Sequence, residues 1–566
     1  MSSISIFNDV LGPVMRGPSS SHTAGSFHIA RLLRDLLGTT ARRAHFTFDP
    51  HGSYAQVFRE QGVDRGFAMG LLGWPLTDAR FFRVLDLAPA EGLDLQFEVR
   101  PLEQADHPNT VAIELEAAAG VRQPDLRSSA LRHAQGAVSL SNGESSDLRT
   151  ARLRAIARSI GGGSVEIVSI DGWPVRLTGE TYELVVRVEQ ANASGAADVL
   201  SRDGEVVGDI RSVDRGSVRL LHARRNAALP DAARASLERL AIESTVREAR
   251  PVAFLKRGHP LFASAGEMIA LAAAQSVSLG RLALAHEASL VGIGDDEVLA
   301  EMTRRLDVMS RSVDEGLAAQ AAPDQPAMQL LEPSARAVFE AEAAGRVAIG
   351  GLHTRAAARA LAAMHVNSQM GVVCAAPTGG SAGVLPGVMT TLMESPAAQR
   401  SGFGGGALSL AGKPEAAALA LFAAGAIGIV VAARATFAAE VAGCQVEIGA
   451  AGAMAAAAVV EASGGSAAQA ADAAAIAFQN TMGSVCDLVQ GVVEIPCHTR
   501  NAVAASSAFV CADLVLGGYR NPIPLDDTID AVLAVGRMLP AELRCTARGG
   551  LAATPAALAL KRRKPV

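Results

Sequence analysis

Aromatic side chains are scarce in this chain, at 4% of 566 residues, and charged residues reach only 19%. Sparse charge excludes a disordered polymer, because 49% of the residues are apolar and the formal net charge is only −6. There is no basic stripe and no interleaving of basic with aromatic residues, so nucleic acid is not an expected partner. The cluster Lys561-Arg562-Arg563-Lys564 reads as a solvated terminus. The opening MSSISIFNDV lacks a charged segment followed by a long apolar one, so secretion is not expected and a cytoplasmic location is. One run, residues 416–433, is long and apolar enough for a membrane span. It is mostly alanine and glycine, and a helix buried inside a helical domain is the better reading. No membrane partner is expected. Cysteine is also sparse: Cys374, Cys444, Cys486, Cys497, Cys511 and Cys545, with no CxxC pair. In a large cytosolic chain such cysteines are more often ligands, nucleophiles or core residues than disulfides.

A chain of this length exceeds one core, so about two or three domains are expected. The pattern predicts a multidomain protein, beginning with an α+β domain over residues 1–160. Phe27 to Leu37 has helical spacing; Ala44 to Phe48, Leu93 to Val99 and Val111 to Leu115 alternate like strands. After Gly161-Gly162-Gly163 a small α/β module is expected over 161–225. Its strands are Ser164 to Ile170, Glu183 to Val188 and Ser217 to His222, around a helix Ser194 to Arg202 capped by Ser194. A linker follows over 226–259. From 260 to 566 the pattern is helical, broken by Gly379-Gly380, Gly402 to Gly406 and Gly464-Gly465, and reads as one all-α domain. Glu287 and Glu301 read as solvated helix faces, and His28 as a helix-face residue.

Three constellations carry chemistry. Gly17-Pro18-Ser19-Ser20-Ser21-His22-Thr23-Ala24-Gly25 precedes a helix; hydroxyls and free N–H groups there make either an anion site or a capped polar loop. Cys444, Cys486 and Cys497 lie on separated segments. Either they fill a helical core, or they converge on a metal cluster with one iron left open. The polar neighbours Gln445, Glu447, Asp487, Glu494, Arg500 and Asn501 favour the second. Thr378-Gly379-Gly380-Ser381-Ala382-Gly383 is a hydroxyl-bearing loop that a ligand can approach closely, or a plain helix connection. Cys374 and Cys511 read as core; Cys545 lies in polar context and could approach the cysteine set.

Together these residues resemble the bacterial iron–sulfur L-serine dehydratases (L-serine ammonia-lyases). GPVMRGPSSSHTAG, DPHGSYA, HPNT and SIGGGSVEIV are similar to that family's β portion. GVVCAAPTGGSAGVLPG, AGCQVEIG, VCDLVQGVVEIPC and LRCTARGGLAATP are similar to its α portion, as if the two were fused. The stretch 161–225 is similar to the ACT-like module often found between them.

The resemblance implies a lyase of amino-acid catabolism that turns L-serine into pyruvate and ammonia. It implies a [4Fe-4S] cluster on Cys444, Cys486 and Cys497, without pyridoxal phosphate. Ser19, Ser20, Ser21, His22 and Thr23 would lie in the substrate site, with Thr378, Gly379, Gly380, Ser381, Arg500 and Asn501 around the same cavity. Of these, His22, Ser21 and Arg500 would be catalytic. A homodimer is the expected assembly. The chain departs from the family at Gln61, where a histidine is usual, at Leu488, and at Arg434-Ala435-Thr436. Glutamine cannot titrate near neutral pH. Gln61 and Arg434 motivate one alternative, a sister dehydratase acting on another β-hydroxy acid such as a 2-(hydroxymethyl) dicarboxylate, with Arg434 meeting the second carboxylate; the ACT-like module motivates another, a non-catalytic amino-acid or iron sensor.

Overall fold

Strand alternation in the first part of the chain and alanine-rich helical spacing in the second produce two kinds of core. A computed structural model describes residues 3–117, 151–318, 325–394 and 409–563, without the side chains of 243–245. The cluster Gly402 to Gly406 and Lys564 lie outside the described residues. The fold is a multidomain mixture of sheets and helices.

After a short strand β1 (Val14–Arg16), the chain forms helix α1 (Gly25–Leu37) and strands β2 (Ala41–Phe48), β3 (Asp94–Val99), β4 (Thr110–Ala117), β5 (Arg152–Gly161), β6 (Ser164–Ile170) and β7 (Trp173–Leu177). The last six make one sheet in the order β3-β2-β4-β5-β6-β7, antiparallel except for β2 with β3. Helix α1 buries Ile29, Leu32, Leu33 and Leu36, the i, i+3, i+4, i+7 stripe of an amphipathic helix. A second sheet takes β8 (Tyr182–Glu189), β9 (Arg211–Arg215), β10 (Val218–Arg225) and β11 (Ala241–Ala249) in the order β11-β8-β10-β9. With α2 (Ala193–Ser201) and α3 (Asp231–Leu240) it has the β-α-β-β-α-β order of ferredoxin-like units.

These sheets shift the expected borders. Gly161 to Gly163 are the turn between β5 and β6 of one sheet, with positive φ at all three, so the first sheet runs on to Leu177. The stretch 226–259 contains α3 and β11, and β11 pairs with β8. Ser194 lies inside α2; Asn192 precedes the helix and makes no side-chain cap bond.

The helical part includes α4 (Leu352–Ser368), α5 (Pro414–Arg434), α6 (Ile448–Ala462) and α7 (Cys497–Leu516). Among the described residues two single helices are long and apolar enough to cross a membrane, Pro414–Arg434 and Cys444–Ala462, and 78% and 89% of their apolar windows are buried inside the protein. They are therefore core here. Alanine and glycine let their axes approach. A Cβ on Gly428 would stand 2.1 Å from Val10 Cγ1, where the turn Ile6–Val10 docks against α5. Glu287 is not a solvated face: it is fully buried and accepts from Ser5 Oγ at 2.5 Å, Ile6 N at 2.7 Å and Phe7 N at 3.2 Å, pinning that turn. Glu301 is also largely enclosed and pairs with Arg304 and Arg305. The C-terminal basic residues are tied down, Arg562 Nη2 to the Gln490 carbonyl at 2.5 Å and Arg563 N to that of Gln329 at 2.8 Å.

One further strand, β12 (Val372–Cys374), pairs antiparallel with β1, Val14 opposite Cys374 and Arg16 opposite Val372. This two-stranded ribbon sets the site, because both its strands run directly into hydroxyl-bearing loops. The one after β1 holds Ser19–Thr23; the one after β12 holds Thr378–Ser381.

Candidate active site

Ser19 has extended backbone and accepts from His22 N at 3.4 Å, which folds Ser20–Ala24 into a π-helical turn feeding α1. The turn closes a hydroxyl–imidazole network. Ser19 Oγ lies 3.2 Å from Ser21 Oγ, both lie within 3.1 Å of His22 Nδ1, and Ser53 Oγ lies 2.9 Å from His22 Nε2. His22 is 8% exposed, and burial pushes it down to about 4, so its ring is neutral near pH 7. Across the ribbon, Gly379 N donates to Ser20 Oγ at 3.4 Å. Thr378 hydrogen-bonds the Glu447 carboxylate. Gly380 passes close to the same carboxylate: a Cβ there would lie 2.6 Å from Glu447 Oε1 and would displace it. Burial raises Glu447 to about 7.

The cysteines arrive from the helical part. The Sγ atoms of Cys444 and Cys486 and a Glu447 carboxylate oxygen all lie within 4.8 Å of one another. The Cys486 thiol also hydrogen-bonds Cys444 and Cys545. Cys545 is brought there by backbone pairing: Cys545 N donates to the Cys486 carbonyl and Cys486 N to the Leu543 carbonyl, each at 2.9 Å. Cys497 opens α7. Cys374 and Cys511 are buried core residues, as the sequence predicts.

One cavity of about 470 Å³ joins the two sides. Its wall includes Ser19, Ser20, Ser21, His22, Thr378, Gly379 and Gly380 on one side and Glu447, Cys486, Cys497 and Cys545 on the other. Five sequence-predicted residues stand just behind it. Cys444 is buried beside Cys486. Thr23 is fully buried, its hydroxyl donating to the Gln61 carbonyl at 2.8 Å. Ser381 Oγ donates to the Ala376 carbonyl at 3.1 Å. Asn501 Nδ2 donates to the Gly380 and Cys497 carbonyls at 2.9 and 2.8 Å, tying the glycine loop to α7. Arg500 faces the cysteines: Nη1 lies 3.8 Å from Cys444 Sγ, 2.9 Å from Asp487 Oδ1 and 2.7 Å from the Val485 carbonyl. Arg434 lies away from the cavity, paired with Asp526 and Asp530, which removes the motive for a dicarboxylate gripped by that residue. His28 Nδ1 donates to the Gly163 carbonyl, 2.7 Å away.

Sequence reasoning left out Glu447, Ser53 and Asn109 as site residues. Glu447 was within sight, three residues after Cys444. Ser53 and Asn109 sit in the DPHGSYA and HPNT segments, and only the folded sheet places them on the cavity.

The donor set fits an iron–sulfur cluster. The sulfurs of Cys444 and Cys486 meet Glu447 within 4.8 Å, and Cys497 and Cys545 line the same cavity from other segments. The Cys486 thiol is pushed far up by its thiol neighbours and burial, and the Cys497 thiol by burial. Such groups give up their protons when a cation replaces them.

Comparison with known proteins identifies the family. Residues 183–552 match the family described as serine dehydratase alpha chain. A Bacillus subtilis (strain 168) probable L-serine dehydratase alpha chain is 36% identical over 303 residues, 54% of this chain and 95% of the relative. A Latilactobacillus sakei probable L-serine dehydratase alpha chain is 43% identical over 202 residues, 36% of this chain and 90% of the relative. A Bacillus subtilis (strain 168) probable L-serine dehydratase beta chain is 31% identical over 217 residues, 38% of this chain and 83% of the relative.

Proposed function

The chain belongs to the serine dehydratase alpha-chain family, joined in one polypeptide to a beta-chain portion, and from that premise we propose that it is a lyase converting L-serine to pyruvate and ammonia. The single observation that carries the proposal is the shared cavity, with a hydroxyl-rich anion loop on one wall and thiols on the other.

Cys444, Cys486 and Cys497 would hold a [4Fe-4S] cluster. When bound, that cluster supplies a Lewis-acid iron able to stabilise a departing hydroxide. The chain's own residues do the rest. The hydroxyls of Ser19, Ser20 and Ser21, with the Gly379 and Gly380 backbone, bind the substrate carboxylate. Neutral His22 is the catalytic base: its ring is fixed by serine hydroxyls on both nitrogens, and it can take the Cα proton. Loss of hydroxide then leaves an enamine that tautomerises and hydrolyses. Arg500 acts through Cys444, holding the thiolate rather than the substrate. Thr23, Ser381 and Asn501 position the two loops. No pyridoxal phosphate enters this scheme.

The β-α-β-β-α-β unit supports reading residues from β8 to β11 as an ACT-like module. Exposed Val503, Val510 and Leu514 along α7 support a homodimer. Six cysteines without a disulfide support a reducing, cytoplasmic location.

Iron and acid-labile sulfide should co-purify anaerobically with the chain, and the loaded protein should release pyruvate from L-serine. An intact cluster without turnover would refute the substrate.

A further inference from the structure

Two residues of the cavity wall each carry a buried carboxamide oxygen that has no donor. Gln61 is 7% exposed and Asn109 3%, and both line the cavity. Neither Gln61 Oε1 nor Asn109 Oδ1 has a hydrogen-bond partner among the described residues. The orientation of each amide follows from its other end: Gln61 Nε2 donates to the Gly491 carbonyl at 3.3 Å, and Asn109 Nδ2 to the Ser159 carbonyl at 3.5 Å. Reversing either would set oxygen against oxygen. Gln61 is also held by its backbone, its N–H on the Val57 carbonyl at 2.8 Å and its carbonyl on the Thr23 hydroxyl.

A buried acceptor left without a donor is unfavourable, so the pair calls for a ligand group rich in N–H. Of the three polar groups of L-serine, only the α-ammonium has several donors and no acceptor. The carboxylate suits the serine loop, and the hydroxyl belongs at the cysteine end. Arg544 Nε, the other orphaned atom on this cavity, is a donor and cannot receive an ammonium.

Resting on the dehydratase reading above, we propose that Gln61, together with Asn109, receives the substrate's α-ammonium and makes the site select amino acids over the same acids without an amine.

L-Alanine and propanoate test this directly, because they differ only in the amine and neither has a hydroxyl to lose. Calorimetric binding to the full, cluster-loaded chain should favour alanine by roughly tenfold or more. Gln61→Met should erase most of that preference while leaving propanoate affinity within about twofold. Gln61→Glu places a carboxylate there and should widen the preference, which keeps the inference testable if the methionine variant does not fold. Equal affinity of the wild type for the two probes, or a preference unmoved in either folded variant, would overturn it. Absence of serine turnover with the alanine preference intact would count against the dehydratase reading instead.

Discussion

The two walls of the cavity are built in opposite ways. The loop wall is a lattice of hydrogen bonds among three serines, one neutral histidine and a backbone ribbon. The thiol wall borders an alanine-rich helical core, where Cys497 opens α7 and Cys545 is tied to Cys486 by backbone hydrogen bonds. The loop wall is therefore pre-organised for an anion by its own bonds. The thiol wall depends on what it binds, because crowded thiols gain a strong reason to stay together only when a metal replaces their protons.

Breaking the thiol wall should have the largest effect. Cys486→Ser removes the sulfur that touches both Cys444 and Cys545. Iron and sulfide retention and pyruvate formation should both be lost, while the circular dichroism of the sheets persists. Retained iron with full activity would contradict the assignment. His22→Gln attacks the loop wall alone. Turnover should fall by roughly a hundredfold to ten-thousandfold, with iron content unchanged. Gly428→Ala touches neither wall; its Cβ would collide with Val10, 2.1 Å away. It should cost about 1–3 kcal/mol of stability in denaturant titration, with KM preserved.

Acid should sharpen the comparison most gently. Burial lowers His22, His28, His286 and His365 to about 4 and His498 to about 3. Each is depressed below its unfolded value, so the unfolded state binds protons first as pH falls. The stability these neutral rings contribute is present above about pH 6.5 and is lost progressively toward about pH 4. Thermal melts across that window should show a falling midpoint. His22→Gln should flatten the fall only slightly, because four of the five rings lie elsewhere.

The segments that carry the proposed chemistry stand out in the chain because each is local. Ser19 to Thr23 precede a helix within one short segment, and Cys486 to Cys497 span one loop and a helix start. Alternation also foresaw β2, β3, β4, β6, β8 and β10 to within a few residues. Long-range partnership was not legible. The family resemblance puts Arg500 and Asn501 around the substrate cavity, and three-dimensional packing turns one toward Cys444 and Asp487 and the other toward the glycine loop. Gly161-Gly162-Gly163 looks like a domain border, because three glycines suit a linker and a hairpin turn equally well. Glu287 sits on an ordinary helical pattern, and nothing nearby in sequence announces that Ser5, Ile6 and Phe7 will bond to it.

Anomalous diffraction at the iron edge from anaerobically grown crystals tests the shared cavity most directly. Iron should lie among Cys444, Cys486 and Cys497, facing the loop Ser19–His22 across the cavity. Iron bound elsewhere, or none in protein that still dehydrates serine, would contradict it.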